Sequence, residues 1–390
     1  MRSWHRPLSS CMCVVLAMAC AGTLAVLSGC ATRPPAGAMA DPDLEMRDLF
    51  NGVRIPKVVA ANDGTILAFA DSGRLLRRSL DQGETWSAAA QVGEDAGGNV
   101  MVDRSTGDIL IVRAGKGYLW RSQDQGQTWA REKIEILPNA LGHGTPDGTP
   151  MTTNCSEAGI TLQHGEHAGR LLMPARIMAP YGSNDLEWWP YHYNMAIYSD
   201  DHGKTWQTSY PVQTGTGEGT LAELSDGAIY YNSRSHMSVD HRRRIAWSYD
   251  GGHMYVDWRV SEDLREVGEP FYFKYGTKPS YGCNAGLVRL PLAATGGKDV
   301  MLFSTPDNPG GSRVRMTVWA SFDRGETWPV KRLVYEGPSA YSSMTADEEG
   351  NVYLLFERGK KKLYESVALA RFDLKWLAEG HDLEALLASQ

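Results

Sequence analysis

The chain has 390 residues, which is enough for one large all-β domain or for two domains of ordinary size. Its 39 basic and 46 acidic residues give a net charge of −7 without any long basic run, which argues against nucleic acid as a partner. The 41 glycines, 12 tryptophans and 17 tyrosines are typical of a protein with many turns and aromatic-bearing strands.

An export signal is predicted at residues 1–30. Two arginines precede the apolar run CMCVVLAMACAGTLAVL, and LSGC follows it. LSGC resembles a bacterial lipobox, which implies that Cys30 carries lipid and becomes the mature N-terminus. The alternatives are an ordinary signal peptide cut nearby or an uncleaved anchor. Because Ala31 follows the cysteine, the resemblance implies a lipid anchor in the outer membrane of a cell envelope, periplasmic or surface-exposed.

The remaining chain is predicted to be a tether, residues 31–45, followed by one domain, residues 46–390. The tether is small-residue-rich, contains proline and has no apolar periodicity. Beyond it, short runs of β-branched and aromatic residues alternate with turn clusters, which favours strands. Helical periodicity is convincing only in residues 375–390. The clearest predicted strands are TILAFA (65–70), DILIVRA (108–114), GRLLMPA (169–175), GAIYYNS (227–233), DVMLFST (299–305) and NVYLLFE (351–357).

A repeated turn sequence of the form S-x-D-x-G-x-T-W divides the strand pattern. Gaps of 43, 77, 49 and 73 residues separate its aspartates, and two of these gaps approximate one propeller blade of about 40–50 residues. With insertions, residues 46–390 fit six blades. We therefore predict an all-β, six-bladed β-propeller, which leaves only short, protected sheet edges. The repeated aspartates are Asp81, Asp124, Asp201, Asp250 and Asp323, the fourth in a looser copy.

These aspartates are predicted to stabilise turns. Asp and Ser side chains can accept hydrogen bonds from backbone amides within a turn, glycine supplies the permissive backbone position, and tryptophan can pack between adjacent sheets. Calcium binding or catalysis is the alternative interpretation. An enzyme rarely needs its catalytic group in several equivalent turns, so the repetition favours the structural role.

The segments between the turns resemble the sialidase superfamily, and the turns themselves resemble its Asp box, or BNR repeat. The resemblance covers residues 50–377 in one order and implies the six-bladed fold and an exo-acting glycoside hydrolase. The segments are VRIPKVVAANDGTILAFAD (53–71), GEGTLAELSDGAIYYNSRS (217–235), SRVRMTVWASFDRGETW (312–328), EGPSAYSSM (336–344) and NVYLLFERG (351–359).

Three arginines match the family residues that bind the substrate carboxylate: Arg54, Arg234 and Arg313. Glu357 matches the residue that steadies the first of them. Guanidinium groups suit this role because each offers a fixed fork of donors to an anion. The resemblance therefore implies a terminal sialic acid, or a related 2-keto-3-deoxy sugar acid on a glycan, as substrate.

Tyr341 matches the family's nucleophile, and Glu218 matches the glutamate that deprotonates it. A neutral tyrosine avoids the repulsion that an anionic nucleophile would meet from the substrate carboxylate. The resemblance implies a retaining reaction through a covalent tyrosyl–sugar intermediate, an exception to the two-carboxylate pattern of glycosidases. No cofactor or metal is expected.

The family's general acid has no clear counterpart here. Asp71 stands where the family usually has a glutamate, and Arg74 would replace the usual arginine after a one-residue shift. The chain then runs almost directly into the first Asp box. Proton donation contributes roughly 10²–10⁴-fold to rate, so a substitute acid matters. In addition to Asp71, two inserts contain residues that could act as the acid: His143, Asp147, Asp185, Glu187 and His192.

The inserts also carry Trp188 and Trp189, which could form a sugar-stacking wall. Both inserts have a plainer interpretation as surface loops between strands. Two other functions remain: a non-hydrolytic propeller that binds sugar acids but has lost its acid, and a scaffold propeller with no sugar site. Cys155 and Cys283 could pair as a disulfide or lie apart as buried thiols.

Overall fold

The computed structural model describes residues 44–139, 152–154, 157–178, 186–237, 240–268, 271–273, 276–278 and 282–388. The predicted lipobox and most of the tether lie outside these residues. So do four candidate site or disulfide residues and the side chains of two others: His143, Asp147, Cys155, Asp185, and the side chains of Glu187 and Trp188.

Strands dominate the described chain. In chain order they are β1 (Glu45–Asn51), β2 (Lys57–Ala60), β3 (Ile66–Ala70), β4 (Leu75–Ser79), β5 (Ala90–Gln91), β6 (Asn99–Val102), β7 (Ile109–Arg113), β8 (Tyr118–Ser122), β9 (Ala130–Lys133), β10 (Glu135–Leu137), β11 (Thr152–Asn154), β12 (Ile160–Thr161), β13 (Leu171–Ile177), β14 (Tyr193–Ser199), β15 (Thr205–Thr208), β16 (Gln213–Thr214), β17 (Thr216–Glu223), β18 (Ile229–Ser235), β19 (Arg242–Ser248), β20 (Val256–Arg265), β21 (Phe271–Phe273), β22 (Gly276–Lys278), β23 (Gly286–Arg289), β24 (Met301–Pro306), β25 (Val314–Ser321), β26 (Val330–Ala346), β27 (Val352–Arg358) and β28 (Ser366–Phe372).

Helices in the described residues are short. Four are 3₁₀ turns at Asp71–Gly73, Ala114–Lys116, Leu186–Tyr191 and Leu292–Thr295, and two are α-helices, α1 (Leu374–Leu377) and α2 (Leu383–Ala388). None of them has the length and apolar composition that a bilayer-spanning helix requires. The predicted C-terminal helix is therefore split. Gly380, with φ of +85°, adopts a left-handed conformation between the two pieces, which a continuous helix does not contain.

All six strands that the short apolar runs predicted are present, as β3, β7, β13, β18, β24 and β27. Their side chains are buried on both faces; β3, for example, is buried along its whole length. The core lies between the faces of neighbouring sheets. Phe69 of β3 and Ile111 of β7 belong to one such cluster, and Trp129 packs against it. Burial on both faces explains why these strands read as continuous apolar runs.

The sheets are propeller-like, which confirms the predicted all-β propeller class. Strands β2–β5, β6–β9 and β17–β20 form three sheets in which each strand pairs with its neighbour in sequence. Strand β1 pairs antiparallel with β28, so the first described strand completes a sheet made by the last. This pairing joins the two ends of the described chain.

The predicted count of six blades does not follow from the hydrogen-bonded sheets. Among the described residues there are three four-stranded sheets, two seven-stranded sheets and one two-stranded sheet. The long strand β26 is one reason. It pairs with β25 along its first part and with β27 along its second, so two groups of strands become one sheet.

The Asp boxes close their turns as predicted. In the first copy, Ser79 Oγ accepts a hydrogen bond from Gly83 N (2.8 Å), and Asp81 Oδ1 accepts one from Thr85 N (2.9 Å). The Trp86 indole N–H donates to the Gly83 carbonyl. The serine-to-glycine and aspartate-to-amide bonds recur in the other four copies. The side chains of these aspartates accept hydrogen bonds within their own turns, so they belong to the scaffold.

Candidate functional site

The predicted glutamate and tyrosine lie at irregular points of two strands. Glu218 falls where the pairing of β17 with β18 shifts register, between Thr216 and Gly219. Tyr341 falls at a similar shift between Ser339 and Ser342 in β26. A bulge inserts an extra residue and re-aims its side chain, and bulges are frequent beside functional sites. The two bulges turn these side chains toward each other.

Glu218, Tyr341 and Arg234 form a buried triad. The Tyr341 hydroxyl donates to Glu218 Oε1 over 2.7 Å, while Arg234 Nη1 donates to Glu218 Oε2 over 2.6 Å. Arg234 Nη1 also contacts the Tyr341 hydroxyl oxygen at 3.1 Å. Each carboxylate oxygen of Glu218 therefore has its own partner, and the oxygen facing the phenol is fixed.

Charges in the triad move the pKa values of the acid and the phenol in opposite directions. Burial disfavours ionisation of Glu218, but the Arg234 charge and further donors outweigh it and hold the pKa of Glu218 well below its usual value. Burial raises the pKa of Tyr341, the Glu218 charge raises it further, and Arg234 and Arg313 offset this only in part. At neutral pH the pair is a carboxylate beside a neutral phenol.

Arg54 is held by Glu357. Its Nε and Nη2 donate to the two oxygens of the buried Glu357 carboxylate at 3.0 and 3.3 Å. The same carboxylate accepts the backbone N–H groups of Ile55 and Tyr341. One residue thus fixes both the arginine and the backbone at the tyrosine, while 40% of the Arg54 side chain remains exposed.

Arg313 is the third arginine beside the tyrosine ring. Its guanidinium carbon lies 5.6 Å from the Tyr341 ring centroid, and that of Arg54 lies 5.3 Å away. Arg313 donates to the Tyr364 hydroxyl and to the Gly282 carbonyl, so no carboxylate neutralises it through these bonds. The structure therefore brings together all six residues predicted for carboxylate binding, nucleophilic attack and their support.

Asp71 lies next to this group through the backbone. Its N–H donates to the Arg54 carbonyl over 2.7 Å, and its carboxylate forms an ion pair with Arg74. Asp71 and Ser72 both have positive φ, 54° and 58°, in the left-handed region that non-glycine residues rarely adopt. Such strain is concentrated at functional sites. The structure thus joins the backbone of Asp71 to that of Arg54, and Arg74 to Asp71 through the ion pair.

His236, which the sequence did not single out, contacts Glu218. Its buried Nε2 lies 3.3 Å from Glu218 Oε2, and the half-buried ring of Trp189 stacks on it at a centroid distance of 4.7 Å. Burial and then the Arg234 charge lower the pKa of His236 to about 4, so the ring is neutral and can donate one N–H. One signal was available, because side chains two residues apart in extended chain point to the same side, and His236, directly after β18, follows Arg234 by two.

The remaining predicted residues are further from the triad or outside the described residues. His192 is buried and lies against Trp189, at a ring-centroid distance of 6.4 Å. Trp189 therefore belongs to the neighbourhood of Glu218, as an aromatic wall would. Cys283 is a free, buried thiol. Tyr364, which the sequence also missed, stacks 3.8 Å from the Arg54 guanidinium carbon.

Glycines beside Glu218 make room for this arrangement. A Cβ on Gly217 would lie 1.9 Å from His236 Nε2, and one on Gly219 would lie 2.5 Å from the Tyr231 ring. Only glycine lets the strand pass that close to both rings. Chemically, the site offers an ionised base, a phenol with its proton directed at that base, and arginines suited to an anion.

A family model matches the chain. The model described as BNR repeat-like domain matches residues 100–354, more than half of the chain. A curated sialidase of Micromonospora viridifaciens is 31% identical over 388 aligned positions, which span 88% of this chain and 55% of the relative. The chain thus spans only about half the length of that relative.

Solved structures show the same fold. A Hadza microbial sialidase, Hz136, has a TM-score of 0.62 at 24% identity and covers 83% of this chain and 66% of its own. An intramolecular trans-sialidase of Ruminococcus gnavus, in complex with oseltamivir carboxylate, has a TM-score of 0.60 at 16% identity. The match covers 87% of this chain and 99% of that one.

Proposed function

Because the chain belongs to the BNR repeat-like domain family within the sialidase superfamily, we propose that it is an exo-acting glycoside hydrolase. Its substrate is a glycan ending in sialic acid or a related 2-keto-3-deoxy sugar acid. The observation that carries this proposal is the 2.7 Å hydrogen bond from Tyr341 to Glu218, flanked by three arginines. Binding a carboxylate requires arginines, but it requires no phenol poised on a base.

Substrate binding rests on Arg54, Arg234 and Arg313. The sugar carboxylate lies on the same carbon as the bond to be cleaved, so arginines around the Tyr341 ring place that carbon near the phenol. Glu357 keeps Arg54 in position through two hydrogen bonds. A guanidinium fork held in this way binds a carboxylate without reorganising.

The reaction proceeds in two displacements. Tyr341 Oη attacks the anomeric carbon while its proton passes to Glu218 Oε1, and the glycosidic bond breaks with protonation of the leaving oxygen. Water then attacks the same carbon and gives its proton to the group that protonated the leaving oxygen, while Glu218 returns its proton to the departing Tyr341. Two inversions give net retention of configuration. The low pKa of Glu218 keeps it ionised to receive the proton, and the neutral phenol adds no negative charge beside the substrate carboxylate.

Asp71 is the proposed acid that protonates the leaving oxygen. Its amide is bonded to the Arg54 carbonyl, so its backbone lies beside the first of the three arginines, and its positive φ begins a turn directly after β3. Arg74 pairs with its carboxylate in the unliganded chain. Substrate binding must therefore separate this ion pair, and Asp71 must take up a proton from solvent, before it can donate.

A non-hydrolytic sugar-acid-binding protein is the second candidate function. The ion pair between Asp71 and Arg74 favours this second function, because an Asp71 carboxylate that is paired with a cation is not available to protonate a leaving group. The two functions make different predictions for a substrate whose leaving group needs no protonation. A hydrolase releases it, whereas a binding protein only retains it.

We also propose that the propeller has six radial units within one domain, residues 46–390. Strand β26 supports this count, because its two parts serve two successive groups of strands, β23–β25 and β27, β28 and β1. Core clusters support it as well. One cluster joins β27 and β28 to β2 and β3, as closure of a ring requires.

For the N-terminus we propose lipid attachment at Cys30, after removal of residues 1–29, and an outer-membrane location. The support is the LSGC sequence after an apolar run. A Cys30→Ser variant should lose membrane fractionation and metabolic labelling with a fatty acid. Membrane association that persists in this variant contradicts the proposal.

The proposed function is tested by release of the aryl group from an aryl glycoside of N-acetylneuraminic acid, with the full chain purified in detergent. An aryl leaving group departs without protonation, so release requires only Tyr341, Glu218 and the arginines. Release by the wild type that is lost in Tyr341→Phe supports the hydrolase. Tight binding of the sugar acid without release supports the binding protein instead.

A further inference from the structure

A cavity of about 260 Å³ lies beyond the candidate site, along the strands that carry it. Glu218 lies near the start of β17 and Tyr341 in the second part of β26. The last residues of these two strands, 221–223 and 344–346, line the cavity. A separation of three residues in a strand is about 10 Å. The cavity is therefore distinct from the pocket formed by the Glu218–Tyr341 pair.

The cavity is continuous with a groove of about 490 Å³. Four residues line both the cavity and the groove, namely Arg104, Thr161, Gln163 and Glu348. Of these, Gln163 and Glu348 are exposed. A small molecule in solvent therefore has a route into the cavity.

Apolar side chains form one part of the cavity wall. They come from the inner ends of five strands and are all buried: Val58, Ala60, Val102, Leu221, Leu287 and Met344. Ligand pockets in proteins typically combine such a wall with a few polar groups that orient the ligand. The polar groups of this cavity are two arginines and three acids.

The two arginines lack a full counter-charge. Arg289 Nη2 donates to His164 Nε2 over 3.3 Å, but its buried Nη1 has no hydrogen-bond partner among the described residues, and Asp299 Oδ1 lies 3.9 Å from it. Arg104 Nη1 donates to the Asn62 side-chain oxygen over 3.1 Å, and in the described part of the chain Arg104 forms no ion pair. Burial lowers the pKa of both guanidinium groups, because neighbouring acids offset it only in part.

The acids of the lining do not supply the missing charge. The two carboxylate oxygens of Glu223 accept the backbone N–H groups of residues 163–164 at 2.7 and 2.9 Å. Glu157 is buried and accepts a hydrogen bond from Ser343 Oγ. Burial raises its pKa to about 8, so at neutral pH it is mostly a neutral acid. Glu348 is exposed where the groove begins. The interior of the cavity is thus suited to an anion.

We propose that this cavity binds a small organic carboxylate, with the carboxylate on Arg289 and Arg104 and the apolar part against Leu221, Leu287 and Met344. A guanidinium group offers a fork of donors that matches a carboxylate. An inorganic anion leaves the apolar wall without a contact, and a neutral molecule leaves the arginines without a counter-charge. The cavity volume equals that of about nine waters in the liquid, which suits an acid of a few carbons. The inference does not depend on the proposed hydrolase function.

The test is thermal unfolding of the full chain in detergent, with sodium butyrate replacing sodium chloride at constant sodium concentration. A ligand that binds only the folded chain raises Tm, by about 2 °C at ten times its Kd for a domain of this size. Butyramide has nearly the same shape without the charge, so at equal concentration it should leave Tm unchanged.

Two variants locate the binding site. Arg289→Gln and Arg104→Gln each remove a charged donor, so each should weaken butyrate binding about tenfold or more. The shift is measured against each variant without butyrate, so a change in the stability of the variant itself does not obscure it. Arg259→Gln is the matched control, because Arg259 is exposed and pairs with the exposed Glu326, and it should keep the full shift.

Four outcomes overturn the inference. No shift with butyrate up to about 100 mM shows that the cavity takes only water. Equal shifts with butyrate and butyramide show that no anion site is present. A full shift in both Arg289→Gln and Arg104→Gln shows that butyrate binds elsewhere. If the shift is lost in Arg313→Gln alone, butyrate binds at the candidate site. Release of the aryl group tests the hydrolase separately, so none of these outcomes contradicts the proposed function.

Discussion

Glu218 and Tyr341, which lie 123 residues apart in the chain, share a hydrogen bond of 2.7 Å at the centre of the arginine group. Both stand at strand bulges, where an extra residue turns the side chain out of the regular alternation. The phenol can direct its proton to only one carboxylate oxygen, because Arg234 occupies the other. This pairing gives the strongest prediction.

Tyr341→Phe removes the oxygen that forms the covalent bond but keeps the ring against which Arg54 and Arg313 lie. We expect kcat on the aryl glycoside to fall at least about a thousandfold, as for the loss of other catalytic nucleophiles. Affinity for a 2,3-dehydro sugar acid, which imitates the flattened transition state, should stay within about tenfold. Steady-state kinetics and calorimetry measure these two quantities.

The same strand offers a matched control for that substitution. Tyr335 lies in the first part of β26, its hydroxyl donates to the Gly359 carbonyl, and Arg358 lies over its ring. Tyr335→Phe should keep kcat within about twofold and cost stability by the value of one hydrogen bond, about 1 kcal/mol. Equal activity in the two phenylalanine variants contradicts the role of Tyr341.

His236 should influence the pH dependence of the reaction through Glu218. Its N–H near Glu218 Oε2 favours the carboxylate and so lowers the pKa of that acid. In His236→Phe this donor is lost, the pKa of Glu218 rises, and the acid limb of kcat/KM moves to higher pH. The shift should stay below about one pH unit, because the larger effect of Arg234 remains. The pH–rate profile of the free enzyme measures it.

A histidine outside the site provides the comparison. His253 belongs to the fourth Asp box, where it bonds to the Tyr198 hydroxyl and packs against the Tyr210 ring. His253→Phe should leave the acid limb where it is in the wild type. If His236→Phe lowers kcat/KM equally at every pH, then His236 supports the fold and not the ionisation of Glu218.

The residues of the candidate site were predicted from segments that resemble the sialidase superfamily, and these segments stand beside recognisable turns and strands. Arg313, for instance, immediately precedes β25, which runs into an Asp box, and Glu357 lies in the apolar run of β27. His236 and Tyr364 were missed because their roles depend on which rings stack beside Glu218 and Arg54. Such contacts arise from packing between segments distant in sequence, which no local pattern encodes.

The fold shows the same division. Short apolar runs predicted single strands well, since burial on both faces leaves a local signature. Sheet boundaries were harder to predict from sequence. Bulges and pairing partners decide whether β26 ends or continues into the next sheet. Gly380 split the predicted C-terminal helix, although the apolar periodicity continues across it. Local pattern therefore identified the elements, and tertiary pairing decided how they join.

The Asp boxes should contribute stability and not catalysis. Asp124 accepts hydrogen bonds from the Thr128 amide and hydroxyl and from the Ser122 hydroxyl. Asp124→Ala leaves these donors to water, and we expect a loss of about 1–3 kcal/mol in the free energy of unfolding with kcat within about twofold. Chemical denaturation and the aryl assay measure both. A large loss of kcat in a variant that remains folded contradicts the scaffold role.

The buried Glu157 should give stability a pH dependence separate from that of the site. It is 2% exposed, accepts a hydrogen bond from Ser343 Oγ over 2.9 Å, and has no partner for its second oxygen. Burial raises its pKa to about 8, and Lys57, also buried, has its pKa lowered by burial to about 8. Both groups therefore prefer their neutral forms more than they would in water.

The pKa of Glu157 is about 8 in the folded chain and near 4.5 in the unfolded chain. Its contribution to the free energy of unfolding is therefore complete below pH 4.5 and is lost as the pH rises through about 8. Lys57 is charged in both states across this window and adds its own slope only above it, up to about pH 10.5. Relative to Glu157→Gln, which keeps an acceptor for Ser343, the wild type should lose up to about 1.4 kcal/mol per pH unit between pH 5 and 8. Urea titrations at several pH values measure this difference.

Glu336→Gln, at an acid that is 68% exposed, is the control, and its stability should change with pH in parallel with that of the wild type. Parallel curves for Glu157→Gln would show that Glu157 is ionised in the folded chain, with Lys57 as its counter-charge.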